Sequence, residues 1–154
     1  MLRAVSIEVT PIVSAASAYT AEDQVGDIQA ISGAAQGKDE PTKLMSVTVT
    51  DKSKQSAALI LYFFDELPTV ASVDNGAFDI TDAQMADKCI GTLAIAAGDY
   101  AALANSSQAT VRNIQLPLFS KTASGIIYAV AKTTGTPTYG AVGDLVFKYA
   151  FEQY

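Results

Sequence analysis

The chain has 154 residues, 49% of them apolar and 17% charged, with a formal net charge of −6. That composition suits one domain with a real core and argues against wholesale disorder. Acidic balance without a basic stripe disfavours nucleic acid and anionic membranes as partners, and the absence of histidine removes the usual general base and the commonest metal ligand.

The N-terminal "MLRAVSIEVTPIV" alternates, with Val5, Ile7 and Val9 on one face and Ser6, Glu8 and Thr10 on the other. Ser6 and Glu8 interrupt any apolar signal region, so a soluble chain without a targeting segment is expected. The Ala/Ser-rich stretch that follows suggests an extended N-terminal arm within about residues 1–20 of a single domain spanning 1–154. A strand is expected in "DQVGDIQAIS", then a polar loop in "SGAAQGKDEPT".

"KLMSVTVTDK" alternates again, placing Met45, Val47 and Val49 inward. After the corner "DKSKQ" comes an uninterrupted apolar run, Ala57 to Phe64. Its faces divide into Ala57, Leu59, Leu61, Phe63 and Ala58, Ile60, Tyr62, Phe64. An antiparallel strand with one solvated face should alternate. The second face therefore needs a cover: a loop, the short helix, an N-terminal arm or a neighbouring subunit. The Tyr62 face is expected to be the outer one, because its hydroxyl wants water or a partner.

Asn75-Gly76 is the strongest local turn signal. In "DITDAQMADK", Thr81 is placed to cap a short helix near 81–87 with Gln84 as its capping-box partner, and Ile80 and Met85 could tuck it onto a sheet edge. A second helical piece is expected in "GDYAALANSS". The remaining runs "KCIGTLAIAA", "ATVRNIQLPL", "GIIYAVAKT" and "DLVFKYAFEQY" read as strands. With about eight strands and no long helical segment, crossover units are unavailable. The expectation is an all-β, antiparallel, jelly-roll-like sandwich.

Chemistry is sparse. The carboxylates from Asp65 to Asp87 do not match a calcium loop, and no phosphate-binding glycine motif occurs. The lone Cys89 sits in an apolar strand and reads as a small hydrophobe. "NSS" at Asn105 reads as structural rather than as a glycosylation site. No catalytic, metal-binding or cofactor-binding residue is expected. Seven tyrosines without a tryptophan suggest interfaces, since tyrosine suits half-wet contacts. The candidate interface residues are Ile60, Tyr62, Phe64, Tyr19 and Tyr139.

From Thr48 onward an ordered set of motifs stands out: Thr50–Lys52, Phe64–Asp65 with Pro68–Thr69, the acidic helix Asp79–Asp87, Ile90–Gly91, Ala97–Tyr100 and Gly135–Tyr139. This set resembles the capsid decoration (cement) proteins of tailed bacteriophages. It covers roughly the last two-thirds of the chain, with a weaker echo in "SAYTAEDQVG" and a departure at "SGAAQGKDEPT". The resemblance implies a non-enzymatic structural virion protein on the outer capsid surface, made in the host cytoplasm. It would bind the major capsid protein and itself, as a small homo-oligomer such as a trimer, without nucleic acid, membrane or cofactor. The alternative reading is a receptor- or carbohydrate-binding sandwich module of a phage fibre or a secreted protein. A hydrolase using paired carboxylates is a third, remoter class.

Overall fold

The computed structural model describes all 154 residues. Ten strands form: β1 (Arg3–Val9), β2 (Gln24–Ile31), β3 (Pro41–Asp51), β4 (Leu59–Phe64), β5 (Cys89–Ile95), β6 (Tyr100–Ala102), β7 (Ser107–Val111), β8 (Leu116–Phe119), β9 (Ile127–Thr133) and β10 (Leu145–Gln153). The one helix is α1 (Asp82–Lys88).

The first sheet runs β1-β10-β3-β7-β6, with β8 also on β3, and the second runs β2-β9-β4-β5. Every pairing between named strands is antiparallel. Strands β7 and β8 lie end to end along β3, opposite residues 47–51 and 41–44. Taking them as one strand, and setting aside the three-residue β6, leaves a simple pattern. The first, last, third and sixth strands make one sheet, and the second, seventh, fourth and fifth make the other. That alternation between sheets is the double Greek key of a jelly roll.

Each sheet contributes one apolar face to the core. Leu145, Phe147, Tyr149 and Phe151 all point inward, as their alternation predicts. The Phe147 and Tyr149 rings lie nearly parallel with centroids 6.0 Å apart, and Phe63 meets Tyr149 edge-on from the opposite sheet at 6.1 Å. The Tyr149 hydroxyl donates to Gln29 Oε1 at 2.6 Å, which satisfies it inside the core.

Three expectations are corrected by the local backbone. Along β3, Ser46 pairs with Ala150 but Leu44 pairs with Phe151, so Met45 is an extra residue. This bulge turns Leu44 and Thr42 into the core and leaves Met45 only half-buried. The neighbouring strand breaks at the same level: Asn113 and Gln115 adopt φ of 55° and 56°, and Ile114 N donates to Met45 O at 3.1 Å. The single strand expected in "ATVRNIQLPL" is therefore divided, and β7 and β8 become separate strands. The second helical piece is instead a three-residue 3-10 turn at Ala97–Asp99 followed by β6, because Asp99 Oδ2 accepts the Ala96 N–H at 2.8 Å and closes the chain tightly.

α1 forms where expected, with Thr81 Oγ1 accepting the Gln84 N–H at 3.2 Å. The reciprocal half of the capping box is absent, since Gln84 Oε1 accepts from Thr69 N instead. Asn75 has the left-handed conformation its turn requires, at φ 62°.

Residues 1–20 lie on the body of the sandwich. β1 is a full edge strand, and Val13, Ala16 and Tyr19 donate main-chain hydrogen bonds to Val142, Tyr139 and Pro137. The segment after Pro11 is thus a strap across the loops at one end of the barrel-like sandwich.

Candidate functional site

The apolar run now has a cover. Leu59, Leu61 and Phe63 are buried in the core, as the inner-face assignment requires. On the outer face, the residues after β4 fold back over the sheet. They anchor beside β2 through Asn75 N to Gln24 O at 2.9 Å, Gln24 N to Gly76 O at 2.8 Å and Phe78 N to Glu22 O at 2.9 Å. Phe78 packs on Tyr62 with ring centroids 5.2 Å apart. Lys132 sits 5.8 Å from the Tyr62 centroid and also forms an ion pair with Glu22. Val130 pairs opposite Tyr62, on the same outer face, and is fully buried. A loop of the same chain therefore covers this part of the sheet.

Of the five predicted interface residues, Ile60 and Tyr62 keep part of their surface, and both are half-buried. The other three are enclosed within the subunit. Phe64 is fully buried at the irregularity where β5 pairs Gly91 with Phe63 but Cys89 with Phe64. Tyr19 and Tyr139 are 2% and 1% exposed and meet edge to face at 5.7 Å. Burial pushes both phenols well above their ordinary range, and for Tyr19 the hydrogen-bonded Asp74 adds to the rise. Within the subunit both rings pack at the strap, where the Tyr19 hydroxyl bonds Ser14 and Asp74. Tyrosine count alone could not separate the two uses, because a buried phenol with a good acceptor looks the same in sequence as an interfacial one.

The corner residues of the resemblance set are structural keystones. Asp51, fully buried, accepts N–H groups from Ser53 at 2.9 Å through Oδ1, and from Gln55 at 2.8 Å and Ser56 at 2.9 Å through Oδ2. Ser53 Oγ donates to Asp144 Oδ2 at 2.6 Å and accepts from Gly140 N at 2.8 Å, while Thr138 N donates to Gln55 Oε1 at 3.0 Å. Asp51–Ser56 and the late Gly-Thr-Pro-Thr-Tyr loop are thereby one knit unit. Asp65 pairs with Lys121 at 3.3 Å, yet its Oδ1 has no partner. Burial raises the Asp65 carboxyl above its ordinary value, against the opposing pull of Lys121. Burial likewise raises the half-buried Cys89 thiol, which keeps it protonated.

A second surface feature comes from register. On the outer face of the first sheet, Pro41 pairs with Phe119, and Tyr154 N reaches Pro41 O at 3.3 Å. Phe119 is 51% and Tyr154 40% exposed, and the nearby Leu2 is 59% exposed. The other end of this face is polar, with Thr48, Thr50, Gln108 and Thr110 bonded to one another across strands. Sequence reasoning missed the apolar end, because its members come from four separate segments that only the pairing brings together.

The structure holds no cluster of three metal-ligating side chains, and no helix is long and apolar enough to cross a membrane. Two open clefts indent the surface. One, of about 300 Å³, lies beside β1. The other, of about 380 Å³, contains Asp27 and Asp74, and both carboxylates already accept hydrogen bonds, from Ile12 N and from Ser14, Tyr19 and Gly26.

The strand order therefore defines the class as a two-sheet antiparallel jelly roll. No protein-family model and no curated protein matches the chain. Among solved structures, a chain of Desmodium yellow mottle tymovirus is similar at 10% identity and a TM-score of 0.30, over 99% of this chain and 81% of that one. A chain of tomato aspermy virus is similar at 8% identity and a TM-score of 0.35, over 99% and 76%. A chain from a full particle of Israeli acute paralysis virus heated to 63 degrees is similar at 9% identity and a TM-score of 0.31, over 99% and 67%.

Proposed function

We propose that this protein is a structural virion component that binds the outer surface of a tailed-phage capsid and reinforces the lattice of the major capsid protein. The carrying observation is the ordered motif set, whose members occupy the positions that close the fold. Thr50–Lys52 turns β3 around the buried Asp51, Ala97–Tyr100 makes the 3-10 turn into β6, and Gly135–Tyr139 packs against the strap. The functional implication of that resemblance is what we carry over.

Reinforcement needs no catalytic group. A subunit that buries surface across neighbouring capsomers gains ~25 cal/mol per Å² of apolar area, less the costs of association. Repetition over a symmetric shell, or within a homo-oligomer, turns modest contacts into strong net attachment. The partly exposed outer face of β4 at Ile60 and Tyr62 and the apolar end at Phe119, Tyr154 and Leu2 are the surfaces offered for such contacts.

Copy number in purified particles tests this reading against a binding module of a fibre. A cement protein co-purifies in a high number fixed by the lattice. A few copies confined to the tail would favour the fibre module.

A further inference from the structure

We infer that the free edge of β1 is a docking site for an extended segment of another polypeptide that carries an acidic side chain. β1 pairs only with β10, in unbroken register from Arg3 to Val9, and no loop group bonds its other edge. An open row of main-chain N–H and C=O groups is a template for an added strand. The other sheet edges carry interruptions. Residues 75–78 bond the start of β2, β5 has an irregularity at Ile90, β6 is three residues long, and β8, which pairs only with β3, contains Pro117. β1 has no proline and no bulge.

Beside this edge lies the cleft of about 300 Å³, lined by Arg3, Val5, Gly33, Gln36, Ser124 and Gln153 among others. Arg3 and Val5 are on the inward-facing side of β1, so the inward side chains of an added strand would stand over the cleft. Arg3 is exposed and takes part in neither of the chain's ion pairs. Gln153 is 3% exposed, and its Nε2 donates to Gly33 O at 2.6 Å and Ala34 O at 3.2 Å. Those bonds fix the amide orientation and leave Oε1 sealed behind the cleft wall without a donor. The site thus presents an unpaired guanidinium beside a strand template. A carboxylate on an extended backbone complements both.

A second copy of this chain fits less well. Two β1 strands paired about Ser6 would aim Val5, Ile7 and Val9 at the polar cleft, while Glu8 lies on the opposite face and cannot reach Arg3. The inference concerns the subunit alone and does not rest on the virion reading.

The probe is a short capped peptide of alternating threonine and valine with one central aspartate, titrated into the full chain with amide exchange as readout. The expected result is saturable binding that protects β1 amides and is lost on N-methylation of the peptide backbone. Arg3→Glu, an exposed change, should weaken the aspartate peptide by about tenfold and favour a lysine-centred one. Four outcomes would overturn the inference: no binding at millimolar peptide, equal binding of the N-methylated peptide, indifference to Arg3→Glu, or dimerisation of the free chain through β1.

Discussion

The Tyr19 hydroxyl donates to Asp74 Oδ1 at 2.6 Å and accepts the Ser14 N–H at 2.9 Å, joining the N-terminal strap to the loop that covers the outer sheet. Ser14 Oγ and Gly26 N complete the shell of donors around the same carboxylate. One side chain therefore ties together three segments that are distant in sequence. Tyr19→Phe keeps the ring against Tyr139 but removes one charge-assisted bond and strands the Ser14 amide. The expected loss is about 1.5–3 kcal/mol in urea unfolding, with faster exchange at Ser14. A loss below the resolution of the measurement would mean that the strap is held by its main-chain bonds alone.

Asp51 carries a larger load. Its carboxylate satisfies three amides in a corner where Lys54 and Ser56 adopt φ of 53° and 51°. Asp51→Ala leaves those donors unpaired at a buried site, at a cost of about 3 kcal/mol or more. Thermal unfolding by circular dichroism should show a fall of many degrees. A neutral substitution would show that water replaces the carboxylate without penalty.

Asp65 makes stability depend on acid. Burial chiefly raises its folded-state pKa above the ordinary carboxylate value. The folded state therefore holds its proton to higher pH than the unfolded chain does, and stability falls as pH rises through the window just above that value. Asp65→Asn removes the ionisation, so the variant should lack this decline while the wild type shows it. Urea midpoints measured across mildly acidic pH read the difference directly.

Two residues on the same face of β4 respond differently to substitution. Ile60 is half-buried, pairs beside Lys132 and lies outside the Tyr62–Phe78 contact. Ile60→Asp should fold and lose binding to the shell or to other copies. Phe64 is fully enclosed, and Phe64→Ala should cost about 3–5 kcal/mol as a core deletion. Solubility and melting of the isolated chain separate the two. Collapse of Ile60→Asp would place that side chain among the core residues.

Much of the architecture was legible where one physical rule acts alone. Alternation in Leu145–Phe151 and Val47–Val49 gave the inward faces correctly, and Thr81 announced the helix start. Legibility failed where the backbone adds or skips a residue. The bulge at Met45 and the irregularity at Ile90 each invert a face, and nothing in local composition marks them. The candidate interface residues were harder still. Phe64, Tyr19 and Tyr139 have side chains that suit an interface, yet long-range folding of the strap and the 65–80 segment encloses them. The cover over Tyr62 is one of the alternatives the apolar run allowed, and only the position of Phe78 selects the loop.

The central claim is that this chain reinforces a capsid lattice, and the melting of the shell tests it most directly. Empty shells of the cognate phage lacking this protein should be scanned by calorimetry before and after its addition. The shell transition is expected to rise and to level off at a fixed ratio of this chain to the major capsid protein. An unchanged transition at saturating protein, or uptake of only a few copies per particle, would contradict the claim.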